Sequence, residues 1–523
     1  MKILKRLTLI ITVLLIITLS MGCAGAARPV QREAGRVYEL VLLHTNDHHG
    51  TVLPQNGRGG LAERASFVNS VRASHNNVLL LDAGDFNTGS ALSNMFAAEV
   101  DILAYNLLGY DIMAIGNHEF TRTIERLESQ IEIAGFPFFS SNVKTLKGEF
   151  LGGHPYIVKN YEGFRVGIFS ITTLRTLSMA GQGHSLFENL SFIQEIDAAR
   201  EAVALLRGRE RVDIVIALTH MGDVRESIDH ITSIDLAEAV QGIDIIVDGH
   251  SHSFFEAAKR IGDTWIVTAG ERGMHVGQGI LSIVDGGIVN FNWYPVEIVF
   301  APDPEVTVLL APYIAKAEAS LWEIVGEAAD TFIFGNRLPR YQESSLGNMI
   351  ADSFVWYFQT VYKLDIDFAL HNSGGIRAEL PRGPLTREQI LTVLTFDNYL
   401  YLVSLRGSEI IELFDYIATI PQGSGAFPVF SGEVRYTLDV PDRKIIDLTI
   451  GGAAVDPERI YRFCTNDYLL SGGDGYAFLT RAQEPFNTSQ LLSYIVIEYI
   501  ASRGGIISPY TDGRLTIIGG VRP

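Results

Sequence analysis

Residues 38–50 read YELVLLHTNDHHG: a mostly apolar run, Tyr38–Leu43, stops abruptly in the polar cluster His44-Thr45-Asn46-Asp47-His48-His49. Four other runs end in the same way. Val78–Leu81 precedes Gly84-Asp85, and Ile112–Ile115 precedes Gly116-Asn117-His118-Glu119. Val212–Leu218 precedes Thr219-His220, and Ile243–Val247 precedes Gly249-His250-Ser251-His252. Short runs rich in β-branched and aliphatic residues read as strands buried on both faces. Seven of the thirteen histidines therefore fall where strands end. In open α/β sheets, ligands bind at the carboxyl ends of strands, so five such clusters point to one site.

The residue types suggest a metal centre. Asp47 and His49 are spaced i, i+2, which in extended backbone puts both side chains on one side. His250 and His252 repeat that spacing, and Asp85, Asn117 and His220 add three more oxygen or nitrogen donors. With no Cys among them, the set suits Zn²⁺, Mn²⁺, Fe or Co²⁺ alike. Seven ligands are too many for one tetrahedral ion and match two divalent ions sharing a bridge, for which Asp85 is the central candidate. Two ions about 3.5–4 Å apart serve in-line displacement at phosphorus, acidifying a bound water and neutralising phosphoryl oxygens. His118 reads as a non-ligand that stabilises the transition state or protonates the leaving oxygen. His44 and His48 read as structural.

In this order, Asp-x-His, Gly-Asp, Gly-Asn-His-Glu, His and Gly-His-x-His are similar to the calcineurin-type metallophosphoesterase superfamily. The phrase LHTNDHHG resembles its 5′-nucleotidase branch. The resemblance implies an α/β fold for residues 37–300, a four-layer α/β/β/α sandwich. One position departs from the pattern. The family reads Gly-Asn-His-Glu-Phe-Asp, the last residue orienting the catalytic His, and here that position is Thr121. A hydroxyl can accept a hydrogen bond from the imidazole but carries no charge, so it favours the imidazolium less. Two readings stay open: a slower or differently tuned hydrolase, or a surface protein that binds nucleotide and metal without turnover.

After the break Ala301-Pro302-Asp303-Pro304, residues 301–325 read as a linker helix that Pro312 should kink. Residues 326–523 then resemble the C-terminal α+β nucleotide-binding domain of 5′-nucleotidases and UDP-sugar hydrolases. RYQESSLGNMIAD is similar to the family's Arg-x-x-Glu-x-x-x-Gly-Asn segment and places Arg340. HNSGGIR places Asn372 and Arg377, VLTF places Phe396, and DYLLSGGDGY places Tyr468 and Asp474. Under this resemblance the two guanidiniums grip phosphate oxygens and Asp474 accepts the ribose hydroxyls. Phe396 and Tyr468 sandwich a base, with Asn372 beside it. With metal donors in one half and stacking residues in the other, the substrate has to span the cleft between them.

The rest of the sequence bounds partners and location. The formal charge of −19 excludes binding of nucleic-acid polymers through a general field, which leaves a small-molecule nucleotide as partner. Residues 1–22 carry Lys2, Lys5 and Arg6 ahead of the apolar Leu7–Leu19, the pattern of an export signal. The ending Ser20-Met21-Gly22-Cys23 is similar to a bacterial lipoprotein signal, with Cys23 lipidated at the head of a tether of residues 23–36; a plain secretory signal is the alternative. Contact with a membrane is expected only through that anchor. With Cys464 as the only other cysteine, no intrachain disulfide is expected once Cys23 is lipidated or removed. The expected activity is 5′-nucleotidase, extending to UDP-sugars or diphosphates. A 2′,3′-cyclic-nucleotide phosphodiesterase with 3′-nucleotidase activity shares the same motifs.

Overall fold

The five apolar runs form the strands Val37–Thr45, Val78–Asp82, Ile112–Ala114, Ile214–His220 and Ile245–Asp248 in the computed structural model. The structure describes residues 31–521 except 56, 88, 121–123, 180–186, 188, 226–229 and 397. The signal segment, Cys23 and Thr121 therefore lie outside the described residues.

The five strands divide between two six-stranded sheets. One runs Gly287–Glu297, His275–Val284, Val37–Thr45, Val78–Asp82, Ile112–Ala114, Phe138–Phe139. The other runs Lys259–Ile261, Thr264–Val267, Ile245–Asp248, Ile214–His220, Phe164–Thr172, Ile157–Tyr161. Val37–Thr45, Val78–Asp82 and Ile112–Ala114 pair in parallel, and so do Phe164–Thr172, Ile214–His220 and Ile245–Asp248. Parallel pairing brings the carboxyl ends of neighbouring strands to one edge of each sheet.

The period of two along Val37–Thr45 explains the layering. Leu40 and Leu42 enter a core shared with Ile214, Ile216, Leu218 and Ile246 of the other sheet. Val41 and Leu43 face the opposite way, toward Leu61, Val68, Ile102 and Tyr105 of the helices Leu61–Ser74 and Glu99–Leu108. Ala198, Ala199 and Ala202 of the helix Glu195–Ala204 also pack with the second sheet. The result is helices, sheet, sheet, helices. Each Leu or Ile fully buried in these runs contributes about 1.5–3 kcal/mol.

The helix Pro304–Ser320 starts at Asp303, whose side chain accepts from the backbone N–H of Glu305 and Val306, with Pro304 in the first turn. It continues through Pro312, which faces solvent. Val306 and Leu310 pack into the same core as the helices Leu61–Ser74 and Glu99–Leu108, so this segment is docked on the N-terminal half along its length.

In the C-terminal half, a five-stranded sheet runs Pro428–Phe430, Phe368–Asn372, Ile460–Asn466, Tyr399–Arg406, Gln483–Leu491. The helices Ser345–Tyr357 and Leu492–Ser502 pack on one face and Gly407–Thr419 on the other. Phe368–Asn372 and Ile460–Asn466 are parallel, so Asn372 and Asn466 end adjacent strands on the same side.

Candidate active site and metal centre

All seven proposed metal ligands converge. Oxygen and nitrogen atoms of Asp47, His49 and His252 lie within 4.8 Å of one another, as do those of Asp85, His220 and His250, and those of His49, Asp85 and His118. Asp85 belongs to two of these groups. Its Oδ2 is 2.9 Å from His220 Nε2, while its Oδ1 accepts the backbone N–H of His118 at 2.7 Å. Asn117 Oδ1 lies 2.7 Å from His250 Nδ1, and the Nε2 atoms of His49 and His252 face each other at 3.0 Å. Asp47 Oδ1 is 3.6 Å from His252 Nε2 and 3.9 Å from His220 Nε2, bringing the donor groups together.

The backbone that presents these groups differs from the expected one. The strands end at Thr45 and Asp248, before the ligands begin. Asp47, His49, Asp85, His250 and His252 all adopt positive φ, between 46° and 85°. The i, i+2 argument from extended backbone therefore fails as geometry: Asp47 and His49 do share a donor group, but through left-handed turns, and His250 and His252 fall in different groups. Each pair is presented by left-handed turns after the strand. Such conformations cost about 1–3 kcal/mol each and persist where their surroundings over-determine them.

Those surroundings include residues to which the sequence reading gave no role. Glu119 is buried and accepts four backbone N–H groups: Asp85 at 2.9 Å, Phe86 and Asn87 at 3.1 Å, and Gly116 at 2.7 Å. It thus ties the Asp85 turn to the Asn117 turn. Asn46 donates to Asp47 Oδ2 at 2.7 Å and accepts from Ala269 N–H at 3.0 Å. Glu271 Oε2 meets His252 Nδ1 at 3.0 Å. The Gly-Asn-His-Glu motif contained the signal for Glu119. Nothing in the sequence spacing pointed to Glu271, which arrives from a different loop. Glu119→Ala would leave buried N–H groups without their acceptor, at a cost of about 1–3 kcal/mol or more. Urea unfolding with the extrapolated free energy lowered by that amount is the expected result.

His44 and His48 are held in the core. His44 Nε2 accepts from Trp293 Nε1–H at 3.0 Å, and His48 lies between Asp101 at 3.0 Å and Arg64 at 3.2 Å. Arg64 is itself fully buried and donates to Tyr105 and Tyr110.

The electrostatics of the donor set suit cations. Burial opposes charge on His220, yet the carboxylates of Asp85 and Asp47 push it up to about 10. Burial likewise opposes charge on His252, and Asp47 and Glu271 push it up to about 9. Burial alone would raise Asp85, but His220, His118 and His49 hold it well below the usual carboxylate range. Positive charge is drawn to the space between the two carboxylates, and lone-pair donors of oxygen and nitrogen converge there. These residues fit divalent ions. His118 is different: burial dominates and lowers it to about 4.

The C-terminal half reaches this centre. Ser489 Oγ lies 3.4 Å from His118 Nε2, and the Phe486 ring stacks on His118 with centroids 6.2 Å apart. Both belong to the strand Gln483–Leu491. Arg272, one residue past Glu271, places its guanidinium over the Tyr399 ring at 5.2 Å.

The six proposed substrate residues also come together. Asn372 donates to Asp474 Oδ2 at 2.8 Å, and Tyr468 OH donates to Asp474 Oδ1 at 3.0 Å. The Arg377 guanidinium lies 5.7 Å from the Phe396 ring centroid. Burial and the nearby Arg337 and Arg377 lower Arg340, while Asp474 opposes them. Phe396 and Tyr468 are 51% and 43% exposed, which is unusual for large aromatics in a core and suited to an open stacking face. Asn466, another residue not singled out in the sequence, donates to His371 Nδ1 at 2.8 Å and to Asn372 Oδ1 at 3.0 Å. It thereby fixes the Asn372 amide with its N–H toward Asp474.

Comparisons with known proteins agree with both halves. Residues 40–254 match the calcineurin-like phosphoesterase family and residues 324–481 match the 5′-nucleotidase C-terminal domain. A 5′-nucleotidase of Vibrio cholerae is 30% identical, the alignment covering 93% of this chain and 94% of that protein. Protein UshA of Escherichia coli is 29% identical over 90% of this chain and 92% of its own length. The fold is similar to that of the NAD nucleotidase of Haemophilus influenzae, with TM-score 0.78 and 21% identity, covering 92% of this chain and 99% of that one. A 5′-nucleotidase precursor from Thermus thermophilus gives TM-score 0.54 at 26% identity, covering 92% of this chain and all of that one. With its motifs, its two-part fold and a full-length relative at this identity, the chain belongs to the 5′-nucleotidase family of metallophosphoesterases.

Proposed function

We propose that this protein hydrolyses nucleotide phosphate esters in a metal-dependent reaction, with nucleoside 5′-monophosphates as the preferred substrates. The observation that carries this reading is the convergence of seven oxygen and nitrogen donors from five strand ends around Asp47 and Asp85. Two divalent ions would be held by Asp47, His49, Asp85, Asn117, His220, His250 and His252; when bound, they supply Lewis-acid neutralisation of phosphoryl oxygens and acidify water.

The chain's own groups do the rest. Arg340 and Arg377 bind phosphate oxygens, Asp474 takes the ribose hydroxyls and Asn372 sits beside the base. Phe396 and Tyr468 stack on the base, a contact indifferent to base identity. His118 Nε2 delivers a proton to the leaving oxygen. Ser489 and Phe486 lie against that imidazole, so the strand Gln483–Leu491 has to shift before a leaving group can reach it. Export, with lipidation at Cys23, completes the proposal. Among the described residues no helix is long and apolar enough to cross a membrane.

Phosphate release from AMP, 3′-AMP formation from 2′,3′-cyclic AMP and UMP formation from UDP-glucose, compared with added Mn²⁺ and with EDTA, test the reading. The expected result is metal-dependent hydrolysis, fastest for AMP. Hydrolysis of 2′,3′-cyclic AMP alone would transfer the assignment to the phosphodiesterase activity. Base stacking is worth about 1–3 kcal/mol, so Phe396→Ala is expected to raise KM for AMP about 5- to 150-fold with little change in kcat. Thr121→Asp is expected to speed turnover by up to about 10²-fold, the lower end of general acid–base assistance, at unchanged metal content. No gain would show that Thr121 does not limit the rate.

A further inference from the structure

We propose that the dipeptide Glu271-Arg272 couples cation affinity at the Asp47–His49–His252 group to the seating of the C-terminal half. Glu271 acts as a positioning residue and Arg272 as the tie between the halves. The inference rests on the metal reading above and adds two residues outside the donor set.

His252 presents Nε2 toward His49 and Asp47, and its other ring nitrogen meets the Glu271 carboxylate at 3.0 Å. A carboxylate on the distal nitrogen fixes the tautomer, leaving the Nε2 lone pair facing the cation, and raises the basicity of the ligand. Arg272 lies on the same turn. Its backbone N–H donates to the carbonyl of Asp47 at 2.6 Å, and it adopts φ 57°. Just before it, the carbonyl of Gly270 accepts from the Asn46 side chain at 2.5 Å. One turn therefore supports Asp47 through the backbone and His252 through a side chain.

The same turn grips the other half of the molecule. The Arg272 guanidinium covers the Tyr399 ring at 5.2 Å, and its charge interacts with Glu271 and with Asp467. Tyr399 opens the strand Tyr399–Arg406, and Asp467 immediately precedes the stacking residue Tyr468. A movement of the C-terminal half that carries Tyr399 and Asp467 away releases Arg272, and with it the turn that orients His252. Linkage is reciprocal, so a cation bound by Asp47, His49 and His252 favours the seated arrangement.

The test is calorimetric titration of the metal-free, full-length protein with Mn²⁺ alone, beside its thermal midpoint without metal. Glu271→Gln is expected to weaken one Mn²⁺ site about 10- to 100-fold, with the metal-free midpoint lowered only as far as the lost pairing with His252 and Arg272 accounts for. Tyr399→Leu, which touches no donor, is expected to weaken the same site about 2- to 30-fold, the range of a lost cation–π contact. Tyr399→Phe, which keeps the ring face, is expected to restore it. Unchanged affinity in Tyr399→Leu would overturn the coupling, and unchanged affinity in Glu271→Gln would overturn the positioning role. Absence of Mn²⁺ binding by the unsubstituted protein would overturn the metal reading itself, and the inference with it.

Discussion

Asp85→Asn is expected to lower metal-dependent phosphate release from AMP by about 10³-fold or more. Loss of a single preorganised electrostatic group costs about 10²–10³ in rate, and Asp85 serves two of the three donor groups. The amide keeps the shape and one acceptor oxygen. It loses the negative charge that draws cations into the site, and it can turn an N–H₂ toward His220 Nε2, now 2.9 Å from the carboxylate. The loss should therefore appear in Mn²⁺ stoichiometry as well as in rate. A variant that still binds the full complement of Mn²⁺ and works within tenfold of the original would show that Asp85 does not bridge the groups.

His118→Ala is expected to lower kcat for AMP by about 10²–10⁴-fold, the contribution of a positioned general acid, with metal stoichiometry unchanged. The imidazole lies beside the donors, its Nε2 4.0 Å from Asp85 Oδ2, and burial favours its neutral form. Its proposed role, supplying a proton to a departing alkoxide, needs the imidazolium that burial disfavours and the neighbouring Asp85 carboxylate favours; nitrophenolate does not need that proton. The loss should accordingly shrink severalfold or more on an aryl phosphate such as p-nitrophenyl phosphate. An equal loss on both substrates would assign His118 to phosphoryl charge stabilisation instead of leaving-group protonation.

Much of this site was legible because its residues sit at punctuation points of the chain. An apolar run of four to seven residues ending in Asp, Asn or His marks both a buried strand and its functional end. Five such runs mark the donors that converge around Asp47 and Asp85. The same logic partly holds in the second half, where Asn372 ends a strand and Asp474 follows a Gly-Gly turn. What the pattern could not carry was backbone conformation and partners brought by distant loops. Asp47 and His49 looked like neighbours on an extended strand, yet both are left-handed, because the strand stops at Thr45 and the turn is held by Asn46, Gly84 and Asp85. Glu271 and Ser489 reach the site from 19 residues past His252 and from the other half of the chain; no periodicity links them to it. The helix Pro304–Ser320 continues through Pro312, with the proline on the solvent side and Val306 and Leu310 anchored in the core.

The most direct test of the central claim is phosphate release from AMP by the metal-stripped protein, followed as Mn²⁺ is added in known equivalents. A binuclear centre predicts negligible release without metal and a rise that levels off at two equivalents per chain. Release that persists after metal removal, or that levels off at one equivalent, would contradict it.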